Sequence, residues 1–126
     1  MKKAIVTDKA PKAVGPYSQG IEAGGFLFLS MQLPLDPKTG ELVGTDAKTQ
    51  TRQVFRNLGA LLESAGAGYG DLVRTTLYLA DMNDFAAVNE VYTEFLTELP
   101  PARAAFQAAK LPKNALVAID AIAYRK

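Results

Sequence analysis

The chain has 126 residues, 48% of them apolar, with 14 Lys and Arg against 13 Asp and Glu, for a net charge of +1. That length and composition fit one folded domain, 1–126, rather than disorder, and the balanced charge leaves no footprint for nucleic acid or an anionic membrane. Cys and His are both absent, which excludes zinc and iron–sulfur centres, a thiol nucleophile and a Ser-His-Asp triad. Acid–base work near neutral pH then falls to carboxylates, Lys, Tyr or bound water, and no metal or cofactor is expected.

In chain order, Lys3–Thr7 reads as a short strand closed by Pro11 and Gly15-Pro16. The start lacks the apolar segment of a signal peptide and no apolar run reaches membrane-span length, so a cytoplasmic protein is expected. Tyr17–Ala23 reads as a second strand, Gly24-Gly25 as a turn, and Phe26–Met31 as a third strand. Pro34–Gly44 is a loop. Asp46–Ala65 is a helix with Ala47, Gln50, Val54, Leu58, Leu61 and Leu62 on one face and Gly66 as its stop.

Leu72–Ala80 alternates as a strand, with Val73, Thr75, Leu77 and Leu79 on one side. Asp81–Asn83 offers caps for a second helix that buries Phe85, Val88, Val91 or Tyr92, and Phe95 before Pro100. Ala102–Lys110 and Leu116–Tyr124 are the last strands, joined by a turn at 111–114. The order β-β-β-α-β-α-β-β predicts an α+β fold: a single-layer mixed sheet with two helices on one face.

Two helices cover only one face of such a sheet, yet Phe26-Leu27-Phe28-Leu29 and Leu116-Val117-Ala118-Ile119 are apolar on both. Leaving the second face wet costs several kcal/mol at about 25 cal/mol per Å². A homo-oligomer is therefore expected. The alanine-rich stretch from Ala102 to Ala123 fits either close approach of neighbouring backbones or space left for a ligand.

Arg103 is the only charge between Glu98 and Lys110, in a segment that otherwise reads as buried strand. Burying a guanidinium demands an anionic partner, and its planar fork suits a carboxylate. Two readings stay open: an internal ion pair, with Asp120 as one possible partner, or a clamp for a small carboxylate ligand.

Several segments, taken together, resemble the reactive-intermediate deaminase (RidA, or YjgF) family. They are Gly15-Pro16-Tyr17-Ser18-Gln19, the run Asp81 to Tyr92, Pro101-Ala102-Arg103, Leu111-Pro112-Lys113 and Ala121-Ile122-Ala123. The resemblance spans essentially the whole chain. It implies a chorismate-mutase-like fold, a homotrimer with a central β-barrel, and cofactor-free hydrolysis of 2-imino acids to 2-keto acids and ammonia in clefts between subunits. It also implies that Arg103 holds the substrate carboxylate, that Tyr17, Ser30 and Asn89 line the cleft, and that the Ala105 backbone contacts the imine end.

The chain departs from the family pattern around that cleft. Where the family's last strand carries two alternating glutamates, the first of them positioning the attacking water, Ala118 and Asp120 stand here. Met31 replaces the glycine of a Ser-Gly-Gln segment. Alanine holds no water, so Asp120, two residues on and on the same side of the strand, is the candidate to take over. The expected site is thus Arg103 and Asp120 with Tyr17, Ser30, Met31, Asn89, Ala105 and Ala118. A binding protein without turnover is the alternative.

Overall fold

A computed structural model describes residues 1–126. Its strands are β1 (Lys3–Ile5), β2 (Gly20–Ala23), β3 (Phe26–Gln32), β4 (Leu72–Leu79), β5 (Ala102–Gln107) and β6 (Val117–Tyr124); its helices are α1 (Ala47–Ser64) and α2 (Phe85–Phe95). The six strands form one sheet in the order β1-β2-β3-β6-β4-β5. Only β4 and β5 run parallel, joined by the crossover helix α2; the other pairings are antiparallel. The element order and mixed α+β sheet match those read from the sequence.

Helix α1 starts where Asp46 accepts a hydrogen bond from the Thr49 amide at 3.1 Å. It stops because Gly66 takes φ 75°, which lets the Gly66 amide reach Glu63 O and the Ala67 amide reach Leu62 O. The buried face of α1 carries Val54, Phe55, Leu58, Leu61 and Leu62. It packs on Leu27, Leu29, Leu77, Leu79, Val117 and Ile119 of the sheet, with Val88, Val91 and Tyr92 of α2 in the same core. Neither helix is long and apolar enough to cross a membrane.

Six strand boundaries differ from the sequence reading, β4 ending one residue earlier, at Leu79, and β6 starting one residue later, at Val117. The first strand stops at Ile5, and the second begins at Gly20 rather than Tyr17, because the Gln19 amide ties down the preceding loop. Gln19 accepts from the Thr7 amide and donates to the carbonyls of Thr7, Ala10 and Pro11. Those bonds hold residues 7–19 out of the ladder. The third strand runs one residue further, to Gln32, and β5 ends at Gln107, where its partner β4 also ends at Leu79. Val73 leaves the helix-facing side of β4, since a bulge between Leu72 and Arg74 shifts the register.

The face away from the helices carries a cluster of uncovered aromatic rings in the protomer. Phe26, Phe28, Phe106 and Tyr124 are 42–48% exposed there. Phe55 is the hub on the opposite face, stacked on Phe95 at 4.8 Å and edge-on to Tyr69 and Tyr92. Phe55→Ala should cost about 3–5 kcal/mol, read as a lower midpoint of urea unfolding.

Candidate active site

The expected site residues fall into two groups. The first is built on α2 and β5. The β4–β5 register sets Arg103 beside Thr75, whose side chain is fully buried on the helix-facing side. Arg103 therefore points toward α2, where Phe85, Asn89 and Tyr92 share one face by their spacing. Its Nη1 donates to Asn89 Oδ1 at 2.7 Å. The guanidinium carbon lies 5.3 Å from the centre of the Phe85 ring and 4.9 Å from that of Tyr92. Ala105, two residues on, faces the same side and packs half-buried on the core.

Two expectations about Arg103 need correcting. It is exposed in the protomer, not buried, because β5 is the edge strand. Nor does it pair with Asp120, whose Cα partner on β4 is Thr76, on the opposite side of the sheet from Thr75. Its neighbours inside the protomer are a neutral amide and two aromatic rings. No carboxylate pairs with the guanidinium in the protomer, and its Nε–Nη2 edge makes no hydrogen bond.

The second group lies on the open face and the adjoining loops. Asp120 is half-buried, and its Oδ2 accepts from the Tyr78 hydroxyl at 2.6 Å. Ala118 is the Cα partner of Tyr78 and has no exposed surface. It packs with Leu111 and Ala115, and Met31 and Tyr78 close over that small cluster. Apolar side chains thus surround position 118, and Met31 packs there as filler.

Ser30 sits at the irregularity between Leu29 and Gln32, where β3 slips against β6. Its hydroxyl donates to Ser18 O at 2.6 Å and its amide to Gln19 O at 3.0 Å. These bonds anchor the loop that carries Tyr17, whose half-exposed ring borders a shallow cleft with Lys2, Phe28 and Ser30.

Arg103 and Asn89 meet; Tyr17 and Ser30 meet; Met31 and Ala118 meet. The groups do not converge within one protomer. Strands β3 and β5 are separated by β6 and β4, about 14 Å across at the usual strand spacing. No cluster of three or more carboxylates gathers to hold a metal ion. Tyr78 is the neighbour that sequence reasoning missed, because its relation to Ala118 and Asp120 depends on the β4–β6 register. Phe85 and Tyr92 were read as core; their spacing with Asn89 was the available sign that they also face Arg103.

The Tyr78 hydroxyl is pushed up to about 12, first by its hydrogen bond to Asp120, then by burial and by the carboxylate charge. It therefore stays protonated at neutral pH and acts as a donor. Below pH 10 the phenol is protonated whether the chain is folded or not. Between pH 10 and about 12 the unfolded chain loses the proton first, so stability falls as pH rises through that window. In Asp120→Asn, near-ultraviolet absorbance should show one late-titrating tyrosine ionising closer to pH 10.

Comparison with known proteins finds similar sequences and a similar fold along the whole chain. The family model described as Endoribonuclease L-PSP matches residues 7–125. A RutC family protein of Pyrococcus horikoshii is 55% identical over 126 residues, covering all of both chains. The 2-iminobutanoate/2-iminopropanoate deaminase of Salmonella typhimurium is 46% identical over 129 residues, again covering both chains fully. Among solved structures, the YjgF gene product of E. coli superposes with a TM-score of 0.94 at 45% identity, over 98% of this chain and 99% of that one.

Proposed function

The chain belongs to the Endoribonuclease L-PSP family in its RidA (YjgF) form, and from that premise we propose that it hydrolyses 2-imino acids to 2-keto acids and ammonia. The observation that carries the reading is the arrangement at Arg103. Asn89 engages Nη1 alone, leaving the Nε–Nη2 edge for a two-oxygen anion, as bidentate carboxylate recognition requires. The substrates are 2-iminobutanoate and 2-iminopropanoate, the latter formed when 2-aminoacrylate tautomerises.

Chemically, water adds to the C=N carbon, the nitrogen takes a proton, and the carbinolamine collapses to a keto acid with loss of ammonia. An imine is already electrophilic, so orientation and a held water supply most of what is needed. Arg103 holds the carboxylate beside Asn89, and the Ala105 backbone receives the imine end. The cleft is completed in a cytoplasmic homotrimer, whose copies cover the face bearing Phe26, Phe28, Phe106 and Tyr124 and close into a central barrel. There Tyr17 and Ser30 of one copy supply walls for the Arg103 of another. Asp120, oriented by the Tyr78 hydroxyl, is the carboxylate left to hold water on that face.

A second reading, a carboxylate-binding trimer without turnover, is favoured by Ala118 and by the apolar side chains packed around it. Supplying 2-aminoacrylate enzymatically and following pyruvate separates the two. Release above the uncatalysed rate, lost in Arg103→Ala, is the expected result; calorimetric binding of 2-ketobutyrate with no extra release establishes the second reading. If the methyl at position 118 limits the rate, Ala118→Glu combined with Met31→Gly should raise turnover by about a hundredfold. RNA should not bind near physiological ionic strength, since the net charge is only +1.

A further inference from the structure

Arg103 is an exposed, flexible side chain on an edge strand, yet it is held from three directions. Asn89 takes Nη1, and the rings of Phe85 and Tyr92 lie within 5.3 Å and 4.9 Å of the guanidinium carbon. Contacts of that kind are attractive because the ring faces carry negative charge density. They leave the in-plane N–H groups free for hydrogen bonds.

Tyr92 is itself anchored in the core. It is 6% exposed, and its hydroxyl shares a 2.7 Å hydrogen bond with the Thr75 hydroxyl. Its ring meets Phe55 edge-on at 5.7 Å. Thr75 is also the Cα partner of Arg103 across β4 and β5. A closed circuit results: Thr75 fixes Tyr92, Tyr92 supports the Arg103 side chain, and the strand pairing fixes both backbones.

We propose that Tyr92, with Phe85, is a positioning residue: an aromatic shelf, fastened to the core through Thr75, that holds the Arg103 guanidinium with its Nε–Nη2 edge ready for a planar carboxylate. The proposal rests on the reading of Arg103 as the carboxylate clamp and deepens it. An unsupported arginine must give up its rotamer freedom when the ligand arrives, whereas a supported one has already done so. The shelf therefore acts on ligand affinity and leaves the reactivity of the bound imine alone. Tyr92→Leu removes the ring; Tyr92→Phe keeps it and loses only the hydroxyl.

Two measurements on the intact protein test this. In nitrogen-15 NMR without ligand, the Arg103 Nε–H resonance, assigned by its loss in Arg103→Ala, should be shifted by the rings. It should move toward the free-arginine position in Tyr92→Leu and stay put in Tyr92→Phe. An unshifted resonance in the parent protein, or one indifferent to Tyr92→Leu, overturns the shelf whatever the ligand does. By calorimetry with 2-ketobutyrate, Tyr92→Leu should weaken binding about fivefold, and Tyr92→Phe should retain it. In turnover of the imine, the same loss should appear in KM with kcat within about twofold.

Binding that depends on Arg103 but is equal in Tyr92→Leu overturns the shelf and leaves the clamp standing. No binding by the parent protein overturns the clamp, and the shelf's role in affinity with it. Phe85→Leu, at a half-buried position outside the Thr75 contact, repeats both arms if Tyr92→Leu fails to fold.

Discussion

The parallel pairing of β4 with β5, across the crossover helix α2, is the constraint on which the candidate site depends. Parallel neighbours need a covering element between them, so α2 must lie over the very edge of the sheet where β5 is added. That brings Asn89, Phe85 and Tyr92 within reach of Arg103. Had β5 joined as an antiparallel hairpin, the guanidinium would have no amide or ring above it. The geometry around Arg103 follows from a connection rule before any side chain chemistry is considered.

The same sheet carries two unlike faces. One is sealed by α1 and α2 over a core centred on Phe55 and the leucines of α1. The other presents aromatic rings to solvent, together with Arg74, Thr76 and the hydrogen-bonded pair Tyr78 and Asp120. A half-buried carboxylate needs a donor, and the phenol across the β4–β6 ladder supplies one. That pair sits next to Ala118, so the polar groups on this face have a different arrangement from the alternating glutamates of the family's last strand.

Much of the fold was legible from periodicity and punctuation. The helix-period face of α1 and Gly66 marked that element almost to the residue, and the two-sided apolar character of Phe26–Leu29 foretold the bare face. Where the sequence reading slipped, the cause lay in tertiary contacts. Gln19 holds its loop through four bonds to residues distant in the chain, and no local pattern announces that. Val73 obeys alternation until a bulge moves it. Arg103 stood out as a lone charge, but its exposure and its separation from Asp120 depended on strand order and register, which a linear pattern does not encode. Tyr78 was invisible as a partner for Asp120 for the same reason.

Strand β5 has one further property as an edge. Its outer side presents unpaired N–H and C=O groups, and its residues Ala102, Ala104, Ala105 and Phe106 are small or apolar. Such an edge is a template for adding a stray strand from another chain, and natural sheets discourage that with a charged side chain on the exposed border. Arg103 is the only charge on β5. The Arg103 guanidinium thus guards the border of the sheet against stray strands, which ties solubility during folding to the same residue that we propose as the carboxylate clamp.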